Sequence, residues 1–270
     1  MSDGTVSVLA DQFRLDGKRA LVTGASRGIG RGIALGLAAA GADLALVSRS
    51  RQLLESCAAE VRALSRQAIV VPADLSKMSD VRALPERVET ELGPIDILVN
   101  VAGFNRRTPA IEMSEEAWDD VVTVNLRSVF FLCQGVARRW IETERFAAPF
   151  GRPKGKIISI GSLAGAIGFP GQAQYSASKA GLVGMSRVLS TEWAPHGICV
   201  NVIAPGYIET DLTVPIWRDP IRSARVLGRT PAGRPGQVAE LTGTALYLAS
   251  AASDYVTGQT IFVDGGFQAG

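Results

Sequence analysis

Short apolar runs alternate along this chain with longer stretches whose apolar residues recur every three or four positions. Runs at 19–23, 43–48, 68–72, 95–100, 156–160, 199–204 and 260–263 read as strands. Stretches at about 28–40, 52–64, 79–92, 115–143 and 238–249 read as helices, as does the segment carrying Tyr175 and Lys179. Seven strand-like runs alternating with helices predict parallel strands joined by right-handed crossovers. Nearly unbroken apolar strands, such as Ile95 to Val99, are what a sheet covered on both faces requires. The prediction is one α/β domain over residues 1–270, a doubly wound parallel sheet of seven strands in three α/β/α layers. Its ligands belong at the carboxyl ends of the strands.

Three segments break the rhythm. Residues 1–12 are small and polar without a period and read as a loose arm. Residues 145–155, with two prolines and two glycines, read as a surface loop lengthening a helix-to-strand connection. Residues 207–235 form the long stretch after a strand where a substrate lid is expected.

Composition narrows the function classes. The chain is 47% hydrophobic and 20% charged with a formal charge of +2. Arginine pairs occur (Arg106–Arg107, Arg138–Arg139), but no lysine- or arginine-rich block, which argues against a nucleic-acid partner. No apolar run was expected to reach membrane-spanning length, and the first residues lack a basic-then-apolar secretory signal. Cys57, Cys133 and Cys199 are odd in number, far apart and in no metal-ligand spacing, which suits a reducing, cytoplasmic setting. The single histidine, His196, falls in a Pro-His-Gly turn, so neither a histidine-based metal site nor a histidine triad is expected.

Candidate chemistry begins with Tyr175-Ser-Ala-Ser-Lys179. Residues four apart share one helix face, and an ammonium beside a phenol favours the phenolate, so Tyr175 is expected below its ordinary pKa. Such a phenol can exchange a proton with a carbonyl or alcohol oxygen. Alone, the spacing arises often by chance. A second signal is Thr23-Gly24-Ala-Ser26-Arg27-Gly28-Ile29-Gly30, which joins the first strand to the first helix. Glycines there let the backbone approach a pyrophosphate, and the helix N-terminus offers free N–H groups. The second strand then ends Val47-Ser48-Arg49-Ser50-Arg51 with no acid. An acid there would take a ribose 2′-hydroxyl, whereas serine and arginine suit a 2′-phosphate, helped by Arg27. NADP(H) is therefore expected in preference to NAD(H).

Together these residues resemble the short-chain dehydrogenase/reductase family, in its single-domain form with a Rossmann-like fold, over about residues 15–266. Thr23–Gly30 resembles its glycine-rich cofactor loop. Asp74, followed by Leu75, resembles the acid that meets the adenine amino group. Asn100-Val-Ala102-Gly103 resembles the family's Asn-Asn-Ala-Gly run, with Val101 in place of the second asparagine and one local hydrogen bond thereby in doubt. Asn125 matches the catalytic-helix asparagine, and Ser162 stands thirteen residues before Tyr175, as the family's catalytic serine does. Pro205-Gly206-Tyr207-Ile208-Glu-Thr210 resembles the segment that closes over the nicotinamide carboxamide. The resemblance implies Tyr175 as general acid or base, with Lys179 lowering its pKa and bonding the nicotinamide ribose. It implies Ser162 as the group on the substrate oxygen, and Asn125 as holder of a water that links Lys179 to solvent.

Within the family, the runs at 103–107, 118–122 and 229–234 are similar to sugar-acid dehydrogenases of the gluconate 5-dehydrogenase and 2-deoxy-gluconate 3-dehydrogenase kind. Arg106 and Arg107 are then candidates for an arginine fork on the substrate carboxylate. Tyr207, Ile216 and Trp217 would line the lid. A 3-oxoacyl-carrier-protein reductase or a general carbonyl reductase is the competing enzymatic reading. A catalytically silent redox-sensing module would be expected to lack Tyr175, Lys179 or the glycines. The resemblance also implies a homotetramer, or a dimer, packed through helices around residues 129–133 and 181–185.

Overall fold

The computed structural model describes residues 9–145, 155–211 and 213–270. Its sheet has seven parallel strands in the order β3-β2-β1-β4-β5-β6-β7. The strands are β1 (Arg19–Thr23), β2 (Asp43–Ser48), β3 (Ala68–Pro72), β4 (Ile97–Asn100), β5 (Gly155–Ile160), β6 (Ile198–Pro205) and β7 (Thr260–Val263). The helices are α1 (Gly28–Ala39), α2 (Arg51–Ala63), α3 (Met78–Leu92), α4 (Glu115–Val122), α5 (Ser128–Glu142), α6 (Ala173–Trp193), α7 (Val214–Trp217), α8 (Pro220–Leu227) and α9 (Val238–Ala249).

Each strand alternates its side chains between two cores, as a doubly covered sheet demands. Ala20, Val22, Leu44, Leu46, Ile97 and Val99 pack with α1, α2 and α9 on one face. Leu21, Ala45, Val47 and Leu98 pack with α3, α5 and α6 on the other. Helix α1 lies close enough to α9 that a Cβ on Gly36 would sit 2.0 Å from Thr242 Cγ2. The strand order reverses direction between β1 and β4, and the crevice at their carboxyl ends is where such sheets take ligands.

Several expectations change. The helix expected over about 115–143 is continuous but broken in character by a π-helical turn, Thr123–Arg127, between α4 and α5. Contrary to the reading that no run reaches membrane-spanning length, Glu115–Glu142 is long and apolar enough to do so. It is a core helix here: Val129, Leu132, Cys133, Val136, Ala137 and Trp140 are buried against the sheet. The arm expected at 1–12 is structured where it is described. Residues 9–11 form a helical turn, and Gln12 accepts a backbone hydrogen bond from Ala252 at 3.2 Å. Most of the 145–155 loop lies outside the described residues. The stretch 207–235, expected to form a lid, carries α7 and α8, and its two ends are stitched together, Gly236 N donating to Tyr207 O at 3.0 Å and Glu209 N to Gly236 O at 2.8 Å.

Candidate active site

The glycine loop is fixed by close approach rather than by composition. Gly24 has φ +69°, and a Cβ there would stand 2.9 Å from the amide nitrogen of Ala102. A Cβ on Gly30 would sit 2.2 Å from the carbonyl oxygen of Gly24, so the loop is folded hard onto the start of α1. Arg27, the residue before α1, gives it no side-chain cap, and the first turn holds no acid, so the helix presents its N–H groups bare. Thr210, from the segment after β6, faces Gly28 across this loop.

Beyond β4, Thr23 Oγ1 accepts from the backbone N–H groups of Val101 at 3.1 Å and Ala102 at 3.2 Å. Asn100 is buried and donates through Nδ2 to Ser159 Oγ at 3.3 Å, tying β4 to β5.

At the adenosine end, Ser48 Oγ is buried without a partner at the tip of β2. An orphaned hydroxyl beside Arg49 fits an incoming phosphate oxygen. The Asp74 carboxyl, despite burial that raises it, is held below its ordinary range by hydrogen bonds from Ser76 and by the charges of Arg49 and Lys77. Its Oδ1 takes both the Ser76 amide at 3.1 Å and the Ser76 hydroxyl at 2.9 Å. Leu75 anchors this turn in the core. The donors and the uncapped helix fit a dinucleotide bearing a 2′-phosphate.

The residues expected to transfer a proton lie at the carboxyl end of β5 and the start of α6. Ser162 caps the turn after β5, its Oγ accepting from Ala164 N at 3.1 Å, and is hydrogen-bonded to Tyr175. Lys179 is buried, donates through Nζ to Ile160 O at 2.7 Å, and stands 5.7 Å from the centre of the Tyr175 ring. Burial pushes Lys179 down to about 8. Burial also pushes the Tyr175 phenol above its ordinary value, and Ser162 pulls it partly back. Lys179 was expected to depress Tyr175; in this geometry burial is the largest influence on the phenol, and the ammonium's hydrogen bond goes to a carbonyl. Asn125 is fully buried inside the π-helical turn. Its Oδ1 accepts from Phe104 N at 3.0 Å, and its Nδ2 donates to Phe104 O at 2.9 Å and Ser178 Oγ at 3.3 Å. Both ends of the side chain clamp the loop after β4 and fix the Phe104 peptide beside the site.

The substrate end is aromatic. Tyr207 meets Phe169 at 6.4 Å, Trp217 at 6.3 Å and Phe267 at 5.5 Å between ring centres. Arg106 and Arg107, expected to fork a substrate carboxylate, have different neighbours. Arg106 Nη1 lies 3.5 Å from Asp120 in an exposed pair, while the charge of Arg107 acts on Tyr207.

A family model described as enoyl-(acyl carrier protein) reductase matches residues 24–268. The 2-dehydro-3-deoxy-D-gluconate 5-dehydrogenase of Escherichia coli is 44% identical over 97% of this chain and 100% of its own length. The chain belongs to the short-chain dehydrogenase/reductase family. Within it, a gluconate 5-dehydrogenase from Burkholderia cenocepacia J2315, solved in complex with NADP and tartrate, superposes with a TM-score of 0.89 at 41% identity, covering 97% of this chain and 99% of that one. The 3-oxoacyl-(acyl-carrier-protein) reductase of Escherichia coli is 40% identical over 94% of this chain and 98% of its own length.

As a short-chain dehydrogenase/reductase, this chain has site-forming residues that the sequence reading passed over. Phe169 and Phe267 carried no signal, because single aromatics far apart in sequence do not reveal a shared wall. Gln174 is fully buried and donates through Nε2 to Arg106 O, holding the loop after β4 against α6. Ser178, between Tyr175 and Lys179, was visible only as part of the motif.

Proposed function

We propose that this chain is an NADP(H)-dependent oxidoreductase that interconverts a ketone and a secondary alcohol on a sugar acid. The observation that carries it is the convergence of Ser162, Tyr175 and Lys179 at the carboxyl end of β5, on the same edge of the parallel sheet as the glycine loop after β1 and the Ser48–Arg49 tip of β2. Gly24, Ser26, Arg27, Gly28, Ile29 and Gly30 would cradle the pyrophosphate, and Ser48 with Arg49 the 2′-phosphate. Asp74, Leu75, Asn100, Ala102 and Gly103 would border the adenosine side. Pro205, Gly206, Ile208 and Thr210 would border the nicotinamide. Bound there, the coenzyme supplies the hydride chemistry.

What the protein contributes is proton management and orientation. A phenol raised by burial is a proton donor well matched to a ketone oxygen on its way to an alkoxide. Ser162 hydrogen-bonds that same oxygen, where negative charge develops, as well as Tyr175. The Lys179 ammonium, poised near 8, favours the phenolate once the proton has left and can return one to it. Asn125 fixes the wall opposite by holding the Phe104 peptide.

The sugar-acid class is supported by the names of the dehydrogenase relatives, one solved with the hydroxy-diacid tartrate. A carrier-protein substrate is the second reading, favoured by the reductase relative and by the run Arg218, Arg222, Arg225 and Arg229 along the lid. We further infer a reducing compartment from three buried free cysteines, and a homotetramer from family resemblance. NADPH oxidation measured with 5-ketogluconate, an acetoacetyl thioester and simple ketones separates the readings. Turnover of the keto sugar acid is expected, and its absence would remove the substrate class.

A further inference from the structure

The cations of the lid do not share one fate. Arg222 pairs with Asp219 at 3.3 Å, and Arg234 with Glu240 at 2.7 Å. Arg107, Arg225 and Arg229 have no carboxylate partner among the described residues, yet all three act electrostatically on Tyr207. They come from two separate parts of the chain, the loop after β4 and the lid around α8. Arg229 Cζ stacks 4.7 Å over the Phe267 ring, which in turn leans on Tyr207. The loop bearing Arg107 is tied to the segment between Ser162 and Tyr175, Thr108 N donating to Gly171 O at 3.0 Å. That segment also supplies Phe169, which meets Tyr207 edge-on. Tyr207 is itself partly buried, and its hydroxyl is raised by that burial against the pull of the three arginines.

Three like charges gathered on one aromatic wall repel one another, and an anion between them relieves that repulsion. Guanidinium groups bind carboxylates in pairs of parallel hydrogen bonds, and the apolar ring faces exclude competing water. We propose that Arg107, Arg225 and Arg229, set around Tyr207 and backed by Phe267, form the pocket for the substrate carboxylate, with the two lid arginines selecting acidic over neutral ketones. This rests on the sugar-acid reading and moves the carboxylate away from the Arg106–Arg107 fork: Arg106 is held by Asp120, and α8 supplies the partner cations instead.

The test pairs binding with kinetics on the full chain. Calorimetric titration of the NADP-loaded protein with tartrate, and with threitol as its uncharged counterpart, reads the pocket without turnover. Arg229→Met and Arg225→Met should each weaken tartrate at least tenfold, the loss of a charge-assisted contact of about 1.5–3 kcal/mol, with threitol unmoved. Arg229→Lys should recover part of the loss, and thermal melts of each variant show that it is folded. In NADPH oxidation, Arg229→Met should raise KM for 5-ketogluconate far more than it lowers kcat, and should narrow its preference over 5-ketofructose at least tenfold. Arg222→Met, which removes a paired charge from the same helix, should change neither readout. Equal tartrate affinity in wild type and Arg229→Met, or an equal loss in Arg222→Met, would overturn the pocket. Tartrate binding that depends on Arg229 in a protein that turns over no keto sugar acid would uphold the pocket and remove the reaction.

Discussion

Lys179 donates its ammonium hydrogen to the carbonyl oxygen of Ile160 at 2.7 Å, so the cation of the catalytic helix is anchored to the last residue of β5. An ammonium has three donors, and this contact fixes one of them while the side chain stays buried. The anchor explains how a lysine is kept in an apolar site: its position is set by the sheet, and its proton is loosened by desolvation.

The first prediction follows from that burial. The Lys179 pKa falls from 10.5 to about 8 on folding. Below pH 8 both folded and unfolded chains hold the proton, and the fold bears the full cost of the buried charge. Between about 8 and 10.5 the unfolded chain binds more protons, so this group's contribution to stability rises with pH. In thermal melts, wild type should therefore gain on Lys179→Met as pH goes from 7 to 10. A constant gap would mean that Lys179 does not titrate in that window.

Removing the phenol separates chemistry from binding. Tyr175→Phe should lower kcat by about three orders of magnitude or more while NADPH affinity, read by fluorescence, stays nearly constant. Ser162→Ala should lower kcat by about 10²–10³. It should also cost about 1 kcal/mol of stability, because Ser162 Oγ caps the following turn through Ala164 N. Retained turnover in Tyr175→Phe would take the tyrosine out of the mechanism.

The glycine loop can be tested by a single methyl group. A Cβ at position 30 meets the Gly24 carbonyl oxygen at 2.2 Å and its carbon at 2.7 Å, both backbone atoms with nowhere to go. Gly30→Ala should lower the melting temperature and weaken NADPH binding together. An unchanged melt with lost binding would place the glycine's role at the ligand alone.

These contacts show which parts of the molecule were legible before the fold was known. The parallel seven-stranded sheet follows from alternation of apolar runs with helices, and the strands fall close to where periodicity puts them, because a doubly covered sheet writes its burial directly into composition; their order in the sheet does not. The candidate quartet Asn125, Ser162, Tyr175 and Lys179 was readable because its spacings resemble a family's. The pKa of Tyr175 was not readable: whether burial or a neighbouring charge wins depends on where the Lys179 ammonium points, and that is decided by β5. Likewise the pairing of Arg106 with Asp120 depends on α4, fourteen residues further along the chain. Contacts assembled from distant segments, such as Phe169 with Phe267, leave no local pattern.

Coenzyme choice should turn on the tip of β2. Ser48 Oγ lacks a partner, and Arg49 stands next to it. Arg49→Ala should weaken NADPH by roughly ten- to a hundredfold, the worth of a charge-assisted hydrogen bond, with NADH little changed. Ser48→Asp supplies an acceptor for a ribose hydroxyl and repels a phosphate, and should invert the preference measured as the ratio of kcat/KM for the two coenzymes. If neither variant moves that ratio, the 2′-phosphate is read elsewhere.

The last prediction concerns a residue that touches neither coenzyme nor reacting oxygen. Gln174 is buried beside Tyr175, donates to Arg106 O, and leaves its own Oε1 without a partner. The loop after β4 is thus held from two sides, by Gln174 at Arg106 and by Asn125 at Phe104. Gln174→Met keeps the volume and removes the donor, stranding a carbonyl at a cost of about 1–3 kcal/mol. Arg107 follows Arg106 directly, so a loosened loop displaces it from Tyr207 before it disturbs Ser162 or Tyr175. The expected signature is a several-fold rise in KM for an acidic ketone, with kcat and NADPH affinity held within about twofold. A variant that is merely destabilised would lower the melting temperature and leave KM alone, and that outcome would confine Gln174 to the core.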